Sequence, residues 1–301
     1  MSAPAAKQNT PASSLDENRW IDRVLCGNSK EVLLKLPKGI ANTIVTSPPY
    51  FSQRNYDHPD QLGSEKTQKE YIENLVEVLE AAKQALSDDG TLWLNLGDKY
   101  KNGQLCGMPW RVALALIDNG WILRSDIIWQ KPNAMPSSVK SRPTTDHEYI
   151  FLFSKQKKYY YDADAIREPH VTFSEHSKMK GGRGHFGKPG GTPEQGKNKG
   201  NPNLHHGQWD KAFHPKGRNK RTVWSVSLSK FRGAHFAVFP EGLIEPCILA
   251  GTKKGGCVLD PFFGSGTTGI VAKKNGRTYI GVDINENYCE IATNRLNSLL
   301  L

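Results

Sequence analysis

Short apolar runs alternate along most of the chain with longer segments of helical period. Ile44-Val45-Thr46 is one such run and predicts a strand. The segment from Gln68 to Leu86 predicts a helix, with Thr67 as its N-cap. Its apolar residues recur every three or four positions: Leu75, Val76, Leu79, Ala82 and Leu86. Strands that alternate with helices predict a parallel sheet covered by helices on both faces.

The same patterns place the remaining elements. Strands are predicted at 23–26, 44–46, 91–96, 122–129, 148–154, 257–260 and 278–283. Helices are predicted at 29–36, 68–86, 110–119, 240–250, 266–274 and 286–299. Ser87-Asp-Asp-Gly90 has the composition of a turn, and the strands at 122–129 and 148–154 are expected to pair antiparallel at one edge of the sheet. Periodicity is absent from Lys155 to about Lys220, and regular structure is expected again from Trp224.

The positive charge of the chain is concentrated in one segment. The chain carries a net charge of +10, and residues 155–222 hold 15 Lys/Arg against 6 Asp/Glu, a net of +9. Because the rest of the chain is almost neutral, a polyanion is the expected partner of this segment. A solvated surface loop without a partner is the alternative.

The cysteines and the apolar content indicate a soluble protein of a reducing compartment. The five cysteines are scattered, without Cys-x-x-Cys spacing, which predicts reduced thiols and a cytoplasmic location, associated with the nucleoid in a bacterium. No metal is expected, since His205-His206 lack cysteine partners at ligand spacing. No membrane contact is expected either, because no apolar stretch approaches the ~20 residues of a span.

Two signatures about 210 residues apart each follow a predicted strand. Thr46-Ser-Pro-Pro-Tyr50 places a hydroxyl, a backbone carbonyl and an aromatic face at one strand end, the groups that can hold a flat base and accept from its amine. Asp260-Pro-Phe-Phe-Gly-Ser-Gly-Thr-Thr268 predicts a strand–turn–helix element that accepts a nucleoside cofactor. The G-x-G-x-x-G spacing from Gly264 to Gly269, with Asp283 after the next strand, also fits a dinucleotide enzyme. An NAD-dependent oxidoreductase is therefore an alternative at this point.

With these signatures the chain resembles the amino-methylating DNA methyltransferases, whose members carry Asp/Asn/Ser-Pro-Pro-Tyr/Phe and a Phe-x-Gly-x-Gly cofactor loop. The catalytic motif comes first and the cofactor motif last, as in the permuted β class. The resemblance covers roughly residues 20–297. It implies a class-I S-adenosylmethionine-dependent methyltransferase fold: a Rossmann-like α/β domain with a seven-stranded, mostly parallel sheet, circularly permuted. In that sheet the first strand of the chain would neighbour the last.

The resemblance also implies a division of the 301 residues. Residues 1–18 are expected to form a disordered tail rather than a signal peptide. The catalytic half of the methyltransferase domain would span 19–154 and the cofactor-binding half 223–301. Between them, the basic segment 155–222 would be an inserted target-recognition region.

Family likeness assigns the cofactor, S-adenosylmethionine, to residues from both ends of the chain. Asp283 would accept from the ribose hydroxyls and Asn28, where many relatives have Asp, would bond the adenine edge. His235, Phe236, Phe239 and Pro240 resemble the motif that packs on the methionine end. The remaining cofactor residues implied are Thr46, Asp260, Pro261, Phe262, Gly264, Ser265, Gly266 and Thr267.

The catalytic residues implied are Ser47, Pro48, Pro49 and Tyr50. The Ser47 side chain and the Pro48 carbonyl would accept the two amine hydrogens of the target base, with the two prolines fixing the backbone. Tyr50 would stack on the base once it is extruded from the duplex. No covalent intermediate is needed, and neither Cys26 nor Cys106 lies in a Pro-Cys motif, which disfavours methylation at carbon 5 of cytosine.

The target base and the partners follow from the resemblance as expectations. Relatives with Ser-Pro-Pro-Tyr are mostly cytosine-N4 enzymes and those with Asp-Pro-Pro-Tyr mostly adenine-N6 enzymes, so N4 of a flipped cytosine is favoured and N6 of adenine is the alternative. The expected partner is double-stranded DNA with a specific short site, a cognate restriction nuclease is a further candidate, and the protein would be a monomer or homodimer. A non-catalytic DNA-binding protein on a methyltransferase scaffold is the alternative of a different class. RNA or protein-glutamine methylation also stays open, disfavoured by Ser47 and by the basic insertion.

Overall fold

One large sheet organises the chain. The computed structural model of the protein describes residues 19–54, 58–169, 216–228 and 239–300. Its strands are β1 Arg23–Cys26, β2 Ala41–Thr46, β3 Leu86–Leu96, β4 Tyr100–Lys101, β5 Gln104–Leu105, β6 Ile122–Gln130, β7 His147–Ser154, β8 Val223–Ser225, β9 Cys257–Asp260 and β10 Thr278–Asp283. In the described residues, eight strands form one sheet in the order β1-β10-β9-β2-β3-β7-β6-β8, and β4 and β5 form a small hairpin.

Six α-helices in the described residues connect and cover these strands. They are α1 Ser29–Leu33, α2 Gln68–Ala85, α3 Met108–Asp118, α4 Glu241–Gly251, α5 Thr267–Lys274 and α6 Glu286–Asn297. The predicted cap of α2 is confirmed as a capping box: the Glu70 N–H donates to Thr67 Oγ1 and the Thr67 N–H donates to Glu70 Oε2, both at 3.2 Å. On the inner face of α2, Tyr71, Leu75 and Leu79 are fully buried in the core.

The sheet brings the two ends of the chain together. From β1 through β10, β9 and β2 to β3 the strands are parallel, and β1 pairs with β10 in a register that places Cys26 beside Asp283. The expectation that the first strand neighbours the last is thereby confirmed. β2 also lies next to β9, so the strand before Ser47 and the strand that ends at Asp260 are neighbours.

The far side of the sheet differs from the prediction in two respects. β7 runs antiparallel to β6, as expected, and also to β3, but the parallel strand β8 lies outside β6. The hairpin partners β6 and β7 are therefore not at the edge, and the sheet has eight strands rather than seven in the described residues. β8 is only three residues long, too short to show a period in the sequence.

The predicted turn at Ser87–Gly90 is wrong, because this segment is a bulge within β3. Ala41 pairs with Leu86 and Thr43 with Thr91, so two steps along β2 face five along β3. A Cβ on Gly90 would lie 2.5 Å from the Leu86 side chain, which leaves room for glycine alone. The segment Ser87–Gly90 therefore has the composition of a turn but continues the strand as a bulge.

Residues 163–221 form a compact unit of their own, distinct from the unit made of the chain up to Asp162 and from Thr222 onward. Its described residues, 163–169 and 216–221, form what we call the ion-paired stem. Glu168 and Arg218 exchange two backbone hydrogen bonds of 2.9 Å. The ion pairs join Glu168 to Arg218, Lys220 and Arg221, and Asp164 to Arg167 and Lys216. Burial opposes ionisation of Glu168, yet the hydrogen bonds and charge of Arg221 outweigh it and lower the pKa of the carboxyl.

The described residues also bear on the cysteine, metal and membrane expectations. All five cysteines are free thiols, of which Cys26 is exposed. Within the described ranges, no group of three or more His, Cys, Asp or Glu side chains is arranged to hold a metal ion. Among the helices of those same ranges, none is both long enough and apolar enough to cross a membrane.

Candidate functional site

The carboxyl ends of β1, β2, β9 and β10 open into one cleft of about 530 Å³. Ligand sites of parallel α/β sheets lie at this end of the strands. The predicted residues that line the cleft are Asn28, Ser47, Pro48, Pro49, Tyr50, Phe239, Phe262, Gly264, Ser265, Thr267 and Asp283. Two signatures separated by more than 200 residues therefore share one wall.

Asp260 and Thr46 hold those two signatures together from beneath the cleft. Asp260 Oδ1 accepts from Thr46 Oγ1 at 2.6 Å and from the Phe262 N–H at 3.0 Å, and Oδ2 accepts from Thr268 Oγ1 at 2.6 Å. Both residues are about 1% exposed, so they bind each other rather than a ligand. Burial raises the pKa of Asp260 to about 6, although the three hydrogen bonds oppose that rise.

The glycine-rich loop is shaped by backbone that only glycine adopts readily. Gly264 and Gly266 have φ values of 51° and 81°. The Gly264 N–H donates to Asp283 Oδ2 at 2.7 Å, which ties the loop to the end of β10. A Cβ on Gly266 would lie 3.0 Å from the Ala292 Cβ, so this glycine serves the packing of the loop on α6.

Asp283 presents a partly buried carboxylate to the cleft. Its Oδ1 accepts from the Asn285 N–H at 2.9 Å and its Oδ2 from Gly264, which leaves further lone pairs for a ligand. Burial raises the pKa of Asp283, against the effect of these backbone donors. The geometry suits an acceptor of hydroxyl groups.

The turn after β1 completes this side of the cleft. Asn28 caps α1 by accepting from the Glu31 N–H at 3.4 Å. Ser29 Oγ donates to the Pro261 carbonyl at 2.7 Å and so connects the start of the chain to the glycine-rich loop. The sequence reasoning missed Ser29, which lines the cleft beside Asn28.

A nucleoside cofactor with a charged tail fits these residues. Thr267 lines the cleft, and its buried Oγ1 has no hydrogen-bond partner in the described part of the protein. The Asp283 carboxylate offers acceptors for ribose hydroxyls, and Phe239, Phe262 and Tyr288 offer apolar wall for a ring. The cleft volume lies within the range of about 300–1,000 Å³ for small-molecule sites.

At the end of β2 the Ser-Pro-Pro-Tyr segment is fixed on both sides. The Tyr71 hydroxyl donates to the Pro49 carbonyl at 2.9 Å. The Tyr50 ring packs on Gly97, where a Cβ would lie 2.6 Å from the ring. A Cβ on Gly63, which has a φ of 96°, would lie 2.9 Å from the Tyr50 carbonyl oxygen. These contacts leave the segment little freedom to move.

The hydroxyl of Tyr50 enters a polar network that the sequence reasoning missed. It lies 3.2 Å from Ser47 Oγ, donates to Glu148 Oε2 at 2.7 Å and lies 3.2 Å from Asn95 Oδ1. Lys131 forms an ion pair with Glu148. Burial first, and then the Glu148 carboxylate, raises the pKa of Tyr50 well above its ordinary value of 10.0. A polar Asn95 inside the apolar run 91–96 was the one signal in the sequence.

The other predicted residues lie elsewhere. Thr46, Pro240, Asp260, Pro261 and Gly266 are not among the described residues that line the cleft. His235 and Phe236 lie outside the described residues. The stacking of Tyr50 on a base stays a prediction; its hydroxyl is hydrogen-bonded to Glu148.

Comparison with known proteins identifies relatives over nearly the whole chain. A family model described as DNA methylase, N6_N4_Mtase, matches residues 41–294. The type II methyltransferase M.Cfr9I of Citrobacter freundii is 42% identical over 299 residues, covering 90% of this chain and 86% of that protein. The type II methyltransferase M.SmaI of Serratia marcescens is 38% identical over 311 residues, covering 94% and 93%.

Solved structures share the fold. The PvuII DNA methyltransferase (cytosine-N4-specific) matches with a TM-score of 0.65 at 22% identity, covering 90% of this chain and 85% of that one. The M1.HpyAVI–SAM complex matches with a TM-score of 0.56 at 19% identity, covering 91% and 98%. The fold is that of the class-I S-adenosylmethionine-dependent methyltransferases.

Proposed function

The chain belongs to the N6/N4 family of DNA methylases, and on this premise we propose that it methylates the exocyclic N4 amine of a cytosine in double-stranded DNA. The observation that carries the proposal is the joining of the two signatures: Thr46 bonds Asp260, and Ser47 and Asp283 line one cleft. A base held at Ser47 and a cofactor held at Asp283 would then lie side by side.

Bound S-adenosylmethionine supplies an electrophilic methyl group on a sulfonium. Asp283 is suited to hold its ribose hydroxyls, and Asn28 and Ser29 lie beside the same wall. Gly264, Ser265 and Thr267 line the adjoining part of the cleft, where its methionine end would lie. Asp260 and Thr46, which are buried, act by fixing the distance between the two halves of the cleft.

The Ser-Pro-Pro-Tyr segment prepares the amine. Its lone pair is delocalised into the ring of the base, and acceptors for the amine hydrogens favour the geometry in which the lone pair is available for attack. Ser47 Oγ and the Pro48 carbonyl are those acceptors in our proposal. The base must leave the duplex to reach them.

Cytosine N4 is favoured over adenine N6 by the residue at position 47. A serine hydroxyl stands where adenine-N6 relatives mostly carry Asp, and the structural neighbour from the PvuII system is named as cytosine-N4-specific. Methylation of adenine N6 on the same fold is the second candidate.

The relatives and the charge distribution suggest the biological setting. M.Cfr9I and M.SmaI are named type II methyltransferases, and we propose that this chain likewise protects a short DNA site within a restriction–modification system. The basic segment 155–222 is the proposed target-recognition region, between a catalytic half at 19–154 and a cofactor-binding half at 223–301.

Mass spectrometry of nucleosides tests the reaction. The protein is incubated with genomic DNA and methyl-labelled S-adenosylmethionine, and N4-methylcytosine is the expected product. N6-methyladenine would instead support the second candidate, and the absence of any labelled nucleoside would contradict both. Sequencing of the modified DNA then gives the recognition site.

Ser47→Ala is the matched variant for this test. Loss of one acceptor should cost about 2–4 kcal/mol of transition-state stabilisation, by analogy with the removal of an oxyanion-hole donor, while cofactor affinity is kept. Ser87→Ala, the same change on the β3 bulge, should leave turnover unaltered. Near-normal turnover of Ser47→Ala would remove this residue from the catalytic site.

A further inference from the structure

Three side chains outside the Ser-Pro-Pro-Tyr segment form a network at the Tyr50 hydroxyl: Asn95 on β3, Glu148 on β7, and Lys131 after β6, which pairs with Glu148. Glu148 is about 15% exposed and Lys131 about 16%. Burial of a carboxylate and an ammonium costs free energy that a position in solvent would not. Because this pair also faces the proposed catalytic segment, its hydrogen bonds bear on catalysis as well as on folding.

The charge of Glu148 fixes the direction of every bond in the network. An ionised carboxylate only accepts, so the single hydroxyl proton of Tyr50 points to Glu148 Oε2, its nearest partner at 2.7 Å. Asn95 Nδ2 donates to the same Oε2 at 3.1 Å and to the Tyr149 carbonyl at 3.0 Å. The amide is thereby oriented with Oδ1, also an acceptor, towards the Tyr50 hydroxyl at 3.2 Å. Tyr50 is surrounded by acceptors on this side.

The consequence reaches Ser47. Since the Tyr50 proton is used by Glu148, the contact of 3.2 Å between the two hydroxyls must run from Ser47 to Tyr50. The hydroxyl proton of Ser47 is therefore directed at Tyr50, and the lone pairs of Ser47 Oγ remain as acceptors for a group bound in the cleft that both residues line. The raised pKa of Tyr50 is consistent with this arrangement, because it keeps the tyrosine protonated as a donor.

We propose that Glu148 is a positioning residue that sets Ser47 as an acceptor for a hydrogen of the target amine and takes up the proton released by methylation. The inference rests on the proposed function and deepens it. The amine nitrogen forms a bond to the methyl carbon, and the carbon–sulfur bond breaks with its electron pair left on sulfur. One amine proton then passes to Ser47 Oγ as the Ser47 proton moves to Tyr50 and the Tyr50 proton to the Glu148 carboxylate.

The first experiment compares single-turnover methylation rates. Glu148→Gln and Tyr50→Phe should each slow transfer by roughly 10²-fold, the scale of general acid–base contributions, with S-adenosylmethionine affinity by calorimetry unchanged. Because both changes break one relay, the double variant should be little slower than either single variant. Glu241→Gln, which removes the carboxylate of the exposed Lys274–Glu241 ion pair, is the matched control and should keep the parental rate.

A second readout needs no turnover. Equilibrium binding is measured for duplexes in which the target cytosine is replaced by uracil, whose C4 oxygen accepts where the amine donates. For an adenine target, hypoxanthine serves instead. An acceptor-only Ser47 should disfavour the replacement. The amide that Glu148→Gln introduces can donate to Tyr50, so that Tyr50 can donate to Ser47 and Ser47 to the base. The ratio of the affinity for the cytosine duplex to that for the uracil duplex should therefore approach one in this variant. The unpairing cost of each duplex is the same for both proteins and cancels from the comparison.

Loss of the Glu148 charge leaves the partly buried Lys131 without its carboxylate partner, and the variant could fail to fold. Glu148→Gln combined with Lys131→Met keeps the charge balanced, and thermal unfolding with calorimetric cofactor binding shows whether the fold is intact. A folded variant of either kind that methylates within about threefold of the parental rate overturns the proposal. An affinity ratio that is unchanged, or single-variant losses that add in the double variant, overturns it as well. If the parental protein methylates no DNA, the proposed function itself fails, independently of Glu148.

Discussion

Asp260 is a buried carboxylate whose own titration should be visible in the stability of the protein. Its pKa is raised to about 6 from an ordinary 3.8, so the folded state binds its proton more tightly than the unfolded state. A raised carboxyl pKa stabilises the protonated fold below about pH 4, and this contribution is lost as the pH rises through about 6. The difference corresponds to about 3 kcal/mol.

Asp260→Asn should remove that pH dependence without breaking the network. The amide oxygen can still accept from Thr46 and Phe262, and the amide N–H can donate to Thr268 Oγ1. We expect a flatter profile of unfolding free energy between about pH 4 and 7, measured by urea denaturation. Asp260→Ala, which strands all three donors, should instead lose stability at every pH. Equal pH profiles for Asp260→Asn and the parental protein would contradict the assignment.

A substitution of the single residue Asp283 tests the side of the cleft that is proposed to bind the cofactor. Asp283→Ala should weaken S-adenosylmethionine binding by about 3 kcal/mol, roughly 10²-fold in Kd, because charged hydrogen bonds to the ribose hydroxyls are lost. Calorimetric titration measures this, with Asp88→Ala on the exposed β3 bulge as the control. An unchanged affinity would show that the cofactor does not bind at the end of β10.

At the scale of elements, the N-terminus of α2 offers a separate test. Thr67→Ala should destabilise the protein by about 1 kcal/mol, since the Glu70 N–H loses its acceptor at the first turn. Thr67→Ser keeps the hydroxyl and should be nearly neutral. Denaturation in urea distinguishes the two, and a loss below about 0.3 kcal/mol for Thr67→Ala would show that water replaces the cap.

The elements also show what the sequence could predict. Ser47, Gly264 and Asp283 could be predicted to lie together because each sits in a local pattern after a predicted strand and parallel strands bring such ends together; all three line the cleft. Glu148 joins Tyr50 across 98 positions of sequence, and no local period marks that contact. Strand β8 was not predicted for a related reason. Its three residues pair with β6, and this tertiary contact leaves no local pattern in the sequence.

At the scale of the whole molecule, the charges of the basic segment fall into two groups. Five of its 15 Lys/Arg side chains belong to the ion-paired stem and already face Asp164 or Glu168. Seven others lie at 170–215, outside the described residues. A cation compensated by a neighbouring carboxylate releases fewer counterions on meeting a phosphate, so the stem should contribute less to DNA binding than its number of Lys/Arg side chains alone predicts.

Matched pairs of substitutions separate the two groups. The double variant Lys197→Gln with Lys199→Gln should show a shallower slope of log DNA affinity against log salt concentration. The slope should change by up to about two, roughly one for each phosphate that the variant no longer neutralises. Arg218→Gln with Arg221→Gln removes the same charge from the ion-paired stem and should flatten it far less. Cofactor titration confirms that both proteins are folded. Equal flattening by the two pairs would contradict the distinction, and parental slopes in both would show that the phosphates are bound by another surface.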